Sequence, residues 1–377
     1  MSKNPTAILL STFVVLLLLC ASASAHPATG IVIDRGGRVY FSDLETVWRL
    51  DPDGRLSAFR PGKPGEHIHE LTIDDEGNVY GAIITYDSAT KTWPSALWRR
   101  TPEGRETYLF GLNDDPPLAL TIWRLRDGST YFFDQDNNLK ARTVLLKRTP
   151  DGKVETIAGG AYGSADGRGP EARFQSVAGM AFGDDGSLYV TDGGALRRVF
   201  PDGTVRTVVK ELGAKLPGDQ PVGYGGPSGL ALDARGNAYV ADSGNRRVLK
   251  VTPDGRVERI MRAEPPWSPN GVAAAPDGRL LVLETSFTPP NRHAGPRVRQ
   301  LSPGGKVTVV ASVGEKEKAQ ALAPRAETRK EAPASEFEGA AVGSASCFDR
   351  GVGVYYGLGV LAICAVTGLR FSFRRAS

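Results

Sequence analysis

Arg49-Leu-Asp-Pro-Asp-Gly54 returns along the chain as Arg99-Arg-Thr-Pro-Glu-Gly104, Lys147-Arg-Thr-Pro-Asp-Gly152, Arg198-Val-Phe-Pro-Asp-Gly203, Lys250-Val-Thr-Pro-Asp-Gly255 and Gln300-Leu-Ser-Pro-Gly-Gly305. The prolines stand at 52, 102, 150, 201, 253 and 303, so the steps are 50, 48, 51, 52 and 50 residues. A steady period of this size marks a repeat architecture. Proline sets φ at the first central position of a turn, and glycine takes a position that needs positive φ. The sixth copy has lost its acid and kept its spacing, so turn geometry is the shared requirement.

A second motif shares the period. A turn ending in glycine precedes a short segment, as in Gly36-Gly-Arg-Val-Tyr40, Gly77-Asn-Val-Tyr80, Gly128-Ser-Thr-Tyr131, Gly186-Ser-Leu-Tyr189, Gly236-Asn-Ala-Tyr239 and Gly278-Arg-Leu-Leu281. A short apolar run lies upstream of each. Every repeat therefore reads as four strands: A is the apolar run, B the Tyr segment, C leads into the Pro-Asp-Gly turn, and D follows it. Val, Ile, Tyr and Phe suit a half-buried pleat. The expectation is an all-β six-bladed β-propeller of four-stranded antiparallel blades over residues 26–314. Radial closure leaves few exposed edges. A linear solenoid would need polar terminal repeats, and repeats one and six are not polar. Because each blade is complete in sequence order, blades one and six should close side by side without exchanging a strand.

Pro227-Ser-Gly-Leu-Ala-Leu-Asp-Ala-Arg-Gly-Asn-Ala-Tyr-Val-Ala-Asp-Ser-Gly-Asn-Arg246 resembles an NHL repeat, as does the stretch from Gly163 to Asp192. The likeness to NHL propellers, and more loosely to gluconolactonase-like (regucalcin-like) propellers, covers residues 29–312. It implies the fold, which hosts binding modules and enzymes alike. The gluconolactonase-like pattern also implies a divalent metal held by a first-blade Glu, an Asn and an Asp. Asn270, in Pro269-Asn-Gly-Val272, matches the Asn-Gly element. The first-blade position holds Thr29, and the Asp-Gly position is Ser228-Gly229 or Ala178-Gly179. The Gly-rich stretch 158–168 lacks the Gly-Lys-Ser/Thr ending of a phosphate loop. It reads as an inter-blade connection in which Arg173-Phe174 tucks back on the ring.

Both ends carry targeting signals. Lys3, the apolar run Ala7 to Cys20 and Ala21-Ser-Ala-Ser-Ala25 form an N-terminal signal helix with an Ala-x-Ala cleavage site, giving a signal peptide over 1–25. Residues 315–350, rich in Ala, Glu, Lys, Pro and Ser, read as a disordered linker. Residues 351–369 hold 19 uncharged residues, long enough for a transmembrane helix, and the basic tail 370–377 would face the cytoplasm. A processed sorting tail has the same signature. The expected location is the cell membrane, single-pass, with the propeller on the extracytoplasmic (periplasmic or extracellular) side. None of the three cysteines lies in the propeller, so no disulfide holds it. A net charge of +4 over 377 residues, without a basic run, argues against nucleic acid.

The A–B and C–D turns share one face of the ring. The B–C links (84–97, 135–143, 285–296) and D–A links (61–70, 111–120, 159–179, 211–229) share the other. Varied loops on a rigid scaffold are where binding sits. That long-loop face should gather the residues before each A strand (Thr29, His69, Leu120, Ala178, Ser228, Asn270) and those ending each B strand (Asp43, Ile83, Asp134, Asp192, Asp242, Glu284). Converging oxygens would suit Ca²⁺ or another divalent metal, with Asn270, Glu284, Asp242, Asp192 and Asp134 as ligands. Alternatively, such aspartates cap their own turns. His69 and His293 are the candidate general bases, and His67 should share a strand face with His69. Two readings follow. One is a binding module that takes a protein, glycan or small-molecule ligand. The other is a metal-dependent lactone hydrolase or lyase.

Overall fold

In the computed structural model, residues 29–63, 66–85, 94–111, 122–135, 141–219, 221, 225–288 and 292–322 are described. The signal segment and the proposed membrane helix lie outside them. No helix among the described residues is long and apolar enough to cross a membrane.

The six Pro-Gly turns close alike. The glycine N–H donates to the carbonyl of the residue before proline, at 2.9 Å from Gly54 to Asp51 and 2.8 Å from Gly255 to Thr252. The glycines have φ between 81° and 96°, a type I turn finished by a left-handed residue. Each turn joins the third and fourth strands of a blade. Blade one is β1 (Ile31–Ile33), β2 (Val39–Ser42), β3 (Val47–Leu50) and β4 (Leu56–Arg60). Blade two is β5 (His67–Ile73), β6 (Val79–Ile84), β7 (Ser95–Arg100) and β8 (Glu106–Phe110). Blade three is β9 (Trp123–Arg126), β10 (Ser129–Gln135), β11 (Arg142–Arg148) and β12 (Val154–Ala161). A two-residue strand, β13 (Gly167–Arg168), precedes blade four, which is β14 (Val177–Phe182), β15 (Leu188–Asp192), β16 (Ala195–Val199) and β17 (Thr204–Val209). Blade five is β18 (Pro227–Leu232), β19 (Ala238–Asp242), β20 (Arg247–Val251) and β21 (Val257–Arg262). Blade six is β22 (Trp267–Ala274), β23 (Leu280–Thr288), β24 (Arg292–Leu301) and β25 (Val307–Ser312).

Each blade pairs its strands antiparallel in sequence order, and β13 adds a fifth strand outside β17. Successive innermost strands touch around the ring, and β22 meets β1. Closure is therefore side by side, as expected. One apolar cluster spans that seam, joining Ile31, Phe41 and Trp48 to Leu281, Leu283 and Val298.

The two turn families share a face. A β-carbon placed on Gly77, Gly128 or Gly236 would stand 3.5, 3.2 or 3.5 Å from Cγ of Pro102, Pro150 or Pro253 in the same blade. The recurring tyrosine also has a purpose there. Tyr80 Oη donates to Asp74 Oδ2 at 2.8 Å, and Tyr239 Oη to Asp233 Oδ2 at 2.9 Å, tying strand B to its turn.

Glycine dictates how closely the inner strands approach. A β-carbon on Gly179 would lie 1.8 Å from the Ser228 carbonyl oxygen, on Gly229 2.4 Å from that of Asn270, and on Gly271 2.2 Å from that of Thr29. Gly30 continues the series against the His69 carbonyl at 3.0 Å, to which its N–H also donates at 2.7 Å. Between blades three and four the Gln135 amide bridges instead, exchanging hydrogen bonds of 2.8 and 3.0 Å with the Val177 backbone.

Two sequence expectations need correction. The presumed loop 285–296 is largely a hairpin, because β23 and β24 extend past the other blades and pair Ser286 with Ala294 and Thr288 with Arg292. The presumed disordered linker begins with a helix, α1 (Glu315–Leu322). Glu317 caps it by accepting the Gly314 N–H at 2.8 Å, and the helix packs on β4.

Adding a methyl group at Gly229 should destabilise the propeller by about 1–3 kcal/mol, the cost of overpacking. The same change at Gly213, with nothing within 4 Å, should be near neutral in urea titrations. Burial first, then the bond to its aspartate, pushes the Tyr80 and Tyr239 hydroxyls each up to about 12. A raised folded-state value adds stability that is present below the unfolded value of about 10 and lost as pH rises through 12. Tyr80→Phe and Tyr239→Phe should each cost about 1 kcal/mol at neutral pH and flatten the alkaline fall seen by denaturant unfolding.

Candidate functional site

The inner strands enclose a central cavity of about 280 Å³. Apolar residues such as Val32, Phe182 and Ala231 line it, polar atoms supply the larger part of its surface, and its charged lining is Glu70 and Arg124. Glu70 occupies the position that is glycine in blades one, four, five and six. There the strand bulges between Ile68 and Leu71, and the carboxylate turns in at 3 % exposure. Arg124 Nη1 donates to Glu70 Oε2 at 2.5 Å and to the Trp123 carbonyl at 2.7 Å. Thr29 Oγ1 donates to Glu70 Oε1. Three blades thus place one ion pair at the channel wall. A buried charge must be paired, and this pair leaves a polar corner beside apolar side chains.

The carboxylates at the ends of the B strands do something else. Asp192 Oδ2 takes Arg197 Nη1 at 3.0 Å, while its Oδ1 accepts the N–H groups of Gln175 and Ser176 at 2.8 and 2.9 Å. Burial pushes the Asp192 carboxyl up, against the pull of Arg197 and those N–H groups. Asp242 takes Arg247 Nε at 2.8 Å. Glu284 takes Arg297 and Arg299 at 2.7 and 3.1 Å. Asp134 pairs with Arg142 at the surface. Asp43 caps its own turn through the Thr46 N–H at 2.7 Å and holds Trp48 Nε1 at 2.9 Å.

The arginines reach on to the loops. Arg247 donates to Asp219 at 2.5 Å and to the carbonyls of Leu212 and Ala214 at 2.8 Å each, which clamps the link from blade four to blade five. Arg197 does the same for the preceding link through Asp166 at 3.0 Å and lies 5.0 Å over the Phe174 ring. Phe174 is buried against the ring as expected, whereas the Arg173 side chain is exposed.

These contacts correct the metal-site expectation. Asn270, Glu284, Asp242, Asp192 and Asp134 do not converge. A divalent ion needs several free oxygens brought together. Each of the four acids gives an oxygen to an arginine, and Asp242 Oδ1 is left buried without a partner. Asn270 is buried, and its amide donates to the Ser268 carbonyl and Thr285 Oγ1 at 3.0 and 2.6 Å. Among the described residues, no three His, Cys, Asp or Glu side chains are grouped to hold a metal. The residues present do not fit that ion. His67 and His69 do share a strand face, with ring centroids 6.1 Å apart. His293 pairs with Phe287 in the long hairpin, and its side chain lies outside the description. The sequence reading passed over Glu70, Arg124 and the clamping arginines. Two signals were present: an acid where four repeats have glycine, and arginine five residues after both Asp192 and Asp242.

The comparisons with known proteins agree with this architecture. Residues 224–251 match the NHL repeat family model. They span β18 to β20, so the NHL repeat is the inner three-quarters of blade five, with Asp242 and Arg247 inside it. A luciferin-regenerating enzyme shares the fold at a TM-score of 0.50 and 16% identity, covering 78% of this chain and 94% of that one. Regucalcin from Agrobacterium tumefaciens, described as a calcium-binding protein, gives 0.46 and 21%, over 68% and 81%. A streptogramin B lyase gives 0.46 and 16%, over 77% and 84%. No curated protein sequence matches the chain.

Breaking the channel pair should be expensive. Arg124→Met strands the Glu70 charge and should cost about 3–5 kcal/mol. Arg142→Ala, at a side chain 62% exposed, should cost about 1 kcal/mol or less in the same urea titration.

Proposed function

We propose that this protein is an exported propeller that acts as a binding module through its long-loop face. One observation carries the reading: the acids that a metal-dependent hydrolase would need on that face are committed to arginines. The arginines fix the connecting links on the blades, which makes the face a pre-organised surface. Rigid loops lower the ordering cost of association. The channel corner of Thr29, Glu70 and Arg124 offers a polar anchor for a small ligand or an inserted side chain. A signal peptide over 1–25, and a membrane helix over 351–369 behind a spacer, would display the propeller outside the cytoplasm.

The test is an assay of the purified full-length protein for lactone hydrolysis with calcium, magnesium or manganese, before and after chelation. The expected result is no metal-dependent turnover. Metal-dependent turnover that Asn270→Ala abolishes would replace this reading with the lactonase one.

A further inference from the structure

The seam between blades five and six is rich in arginine. Arg246, Arg247, Arg259, Arg262, Arg297 and Arg299 meet there with three carboxylates, those of Asp219, Asp242 and Glu284. The contacts form one continuous set. Arg259 Nη1 reaches Asp219 at 3.0 Å and the Pro217 carbonyl at 2.9 Å. Arg262 stands opposite Arg247 in the strand pair, and its carbonyl accepts from Arg299 at 3.1 Å. Arg246 donates to the Trp267 carbonyl at 2.7 Å. The Arg297 guanidinium lies 4.0 Å from the centre of the Trp267 ring.

The layering matters more than the count. The three carboxylates have fully buried side chains, while Arg259, Arg299 and Arg297 keep 28, 18 and 17 % exposure. Negative charge lies beneath and guanidinium edges lie above, so solvent meets a cationic surface. Six arginines against three acids leave an excess of three, and the exposed Glu264 on the connecting link lowers it to two. Arg247 is buried and its fork is filled, but each of the other five guanidinium groups carries five donors in a planar fork, more than its partners here take. Planar carboxylates satisfy such forks in pairs.

We propose that this seam is a docking surface for an acidic segment of a partner protein. The proposal rests on reading the long-loop face as a binding surface, and it adds the place and the chemistry. Charge complementarity selects the partner's sign and speeds encounter. Arginine and tryptophan together are the residues that most often anchor a protein contact. Arg297 already covers one face of Trp267, which disfavours the open aromatic platform a sugar would stack on.

The test uses the full-length protein and a fluorescent octaglutamate peptide, followed by anisotropy at low and raised salt. Saturable binding that weakens with salt is expected. Arg246→Glu and Arg262→Glu should each weaken it about tenfold or more, with circular dichroism confirming the fold. Arg262→Gln, which removes the charge and keeps a polar side chain, gives a weaker loss and carries the test if a reversal unfolds the blade. Arg55→Glu on the turn face, at a side chain 68% exposed, should change nothing. Absence of binding at low salt, equal loss in Arg55→Glu, or binding of oligogalacturonate but not of octaglutamate would overturn the proposal. None of these outcomes touches the binding reading itself, which the turnover assay judges separately.

Discussion

A carboxylate with no solvent contact must be met by a cation or forfeit its charge, and this propeller turns that constraint into architecture. Asp192 and Asp242 end the second strands of blades four and five, Glu284 takes the matching place inside the longer second strand of blade six, and all three side chains are fully buried. Each is answered from the third strand, by Arg197, by Arg247, and by Arg297 with Arg299. The arginine has donors to spare and spends them on the carbonyls and acids of the incoming link. One interaction therefore holds strand to strand and loop to blade. It also commits an oxygen of each acid to a guanidinium.

Around the axis a different constraint operates. Inner strands approach until a glycine faces the next blade's carbonyl, and Gly179, Gly229, Gly271 and Gly30 leave no room for a side chain. Blade two departs from this rule. Glu70 bulges into the channel, and its charge draws in Thr29 from one neighbouring blade and Arg124 from the other. The polar corner of the channel is thus a lapse in the closure pattern, and that lapse breaks the six-fold symmetry of the ring. Repeat geometry supplies the scaffold, and the departure from it supplies the candidate site.

Most of the fold was legible because its determinants are local. A Pro-Asp-Gly turn closes through its own backbone, and the spacing of six such turns requires no tertiary knowledge. The tyrosines of the second strands were legible as a pattern, and their bond to the turn aspartate explains it. The shared face of the two turn families followed from strand order. Long-range partners were not legible. Asp242 looks like a free ligand until Arg247 and Asp219, 23 residues before it, are seen on the same spot. The blade-six hairpin hid behind Pro289, Pro290 and Pro296, which read as loop. The start of the spacer hid behind its charge, since Glu315-Lys-Glu-Lys reads as solvated chain until Glu317 caps Gly314. Glu70 was not legible because its partners Thr29 and Arg124 stand 41 and 54 residues away along the chain.

The central claim is that buried arginine–carboxylate pairs pin the inter-blade links to a rigid ring. Amide hydrogen exchange on Arg247→Ala measures this most directly. Faster exchange at 211–219, with the inner strand Pro227–Leu232 still protected, is the predicted result. Unchanged exchange at 211–219, or an equal acceleration in every blade, would contradict it.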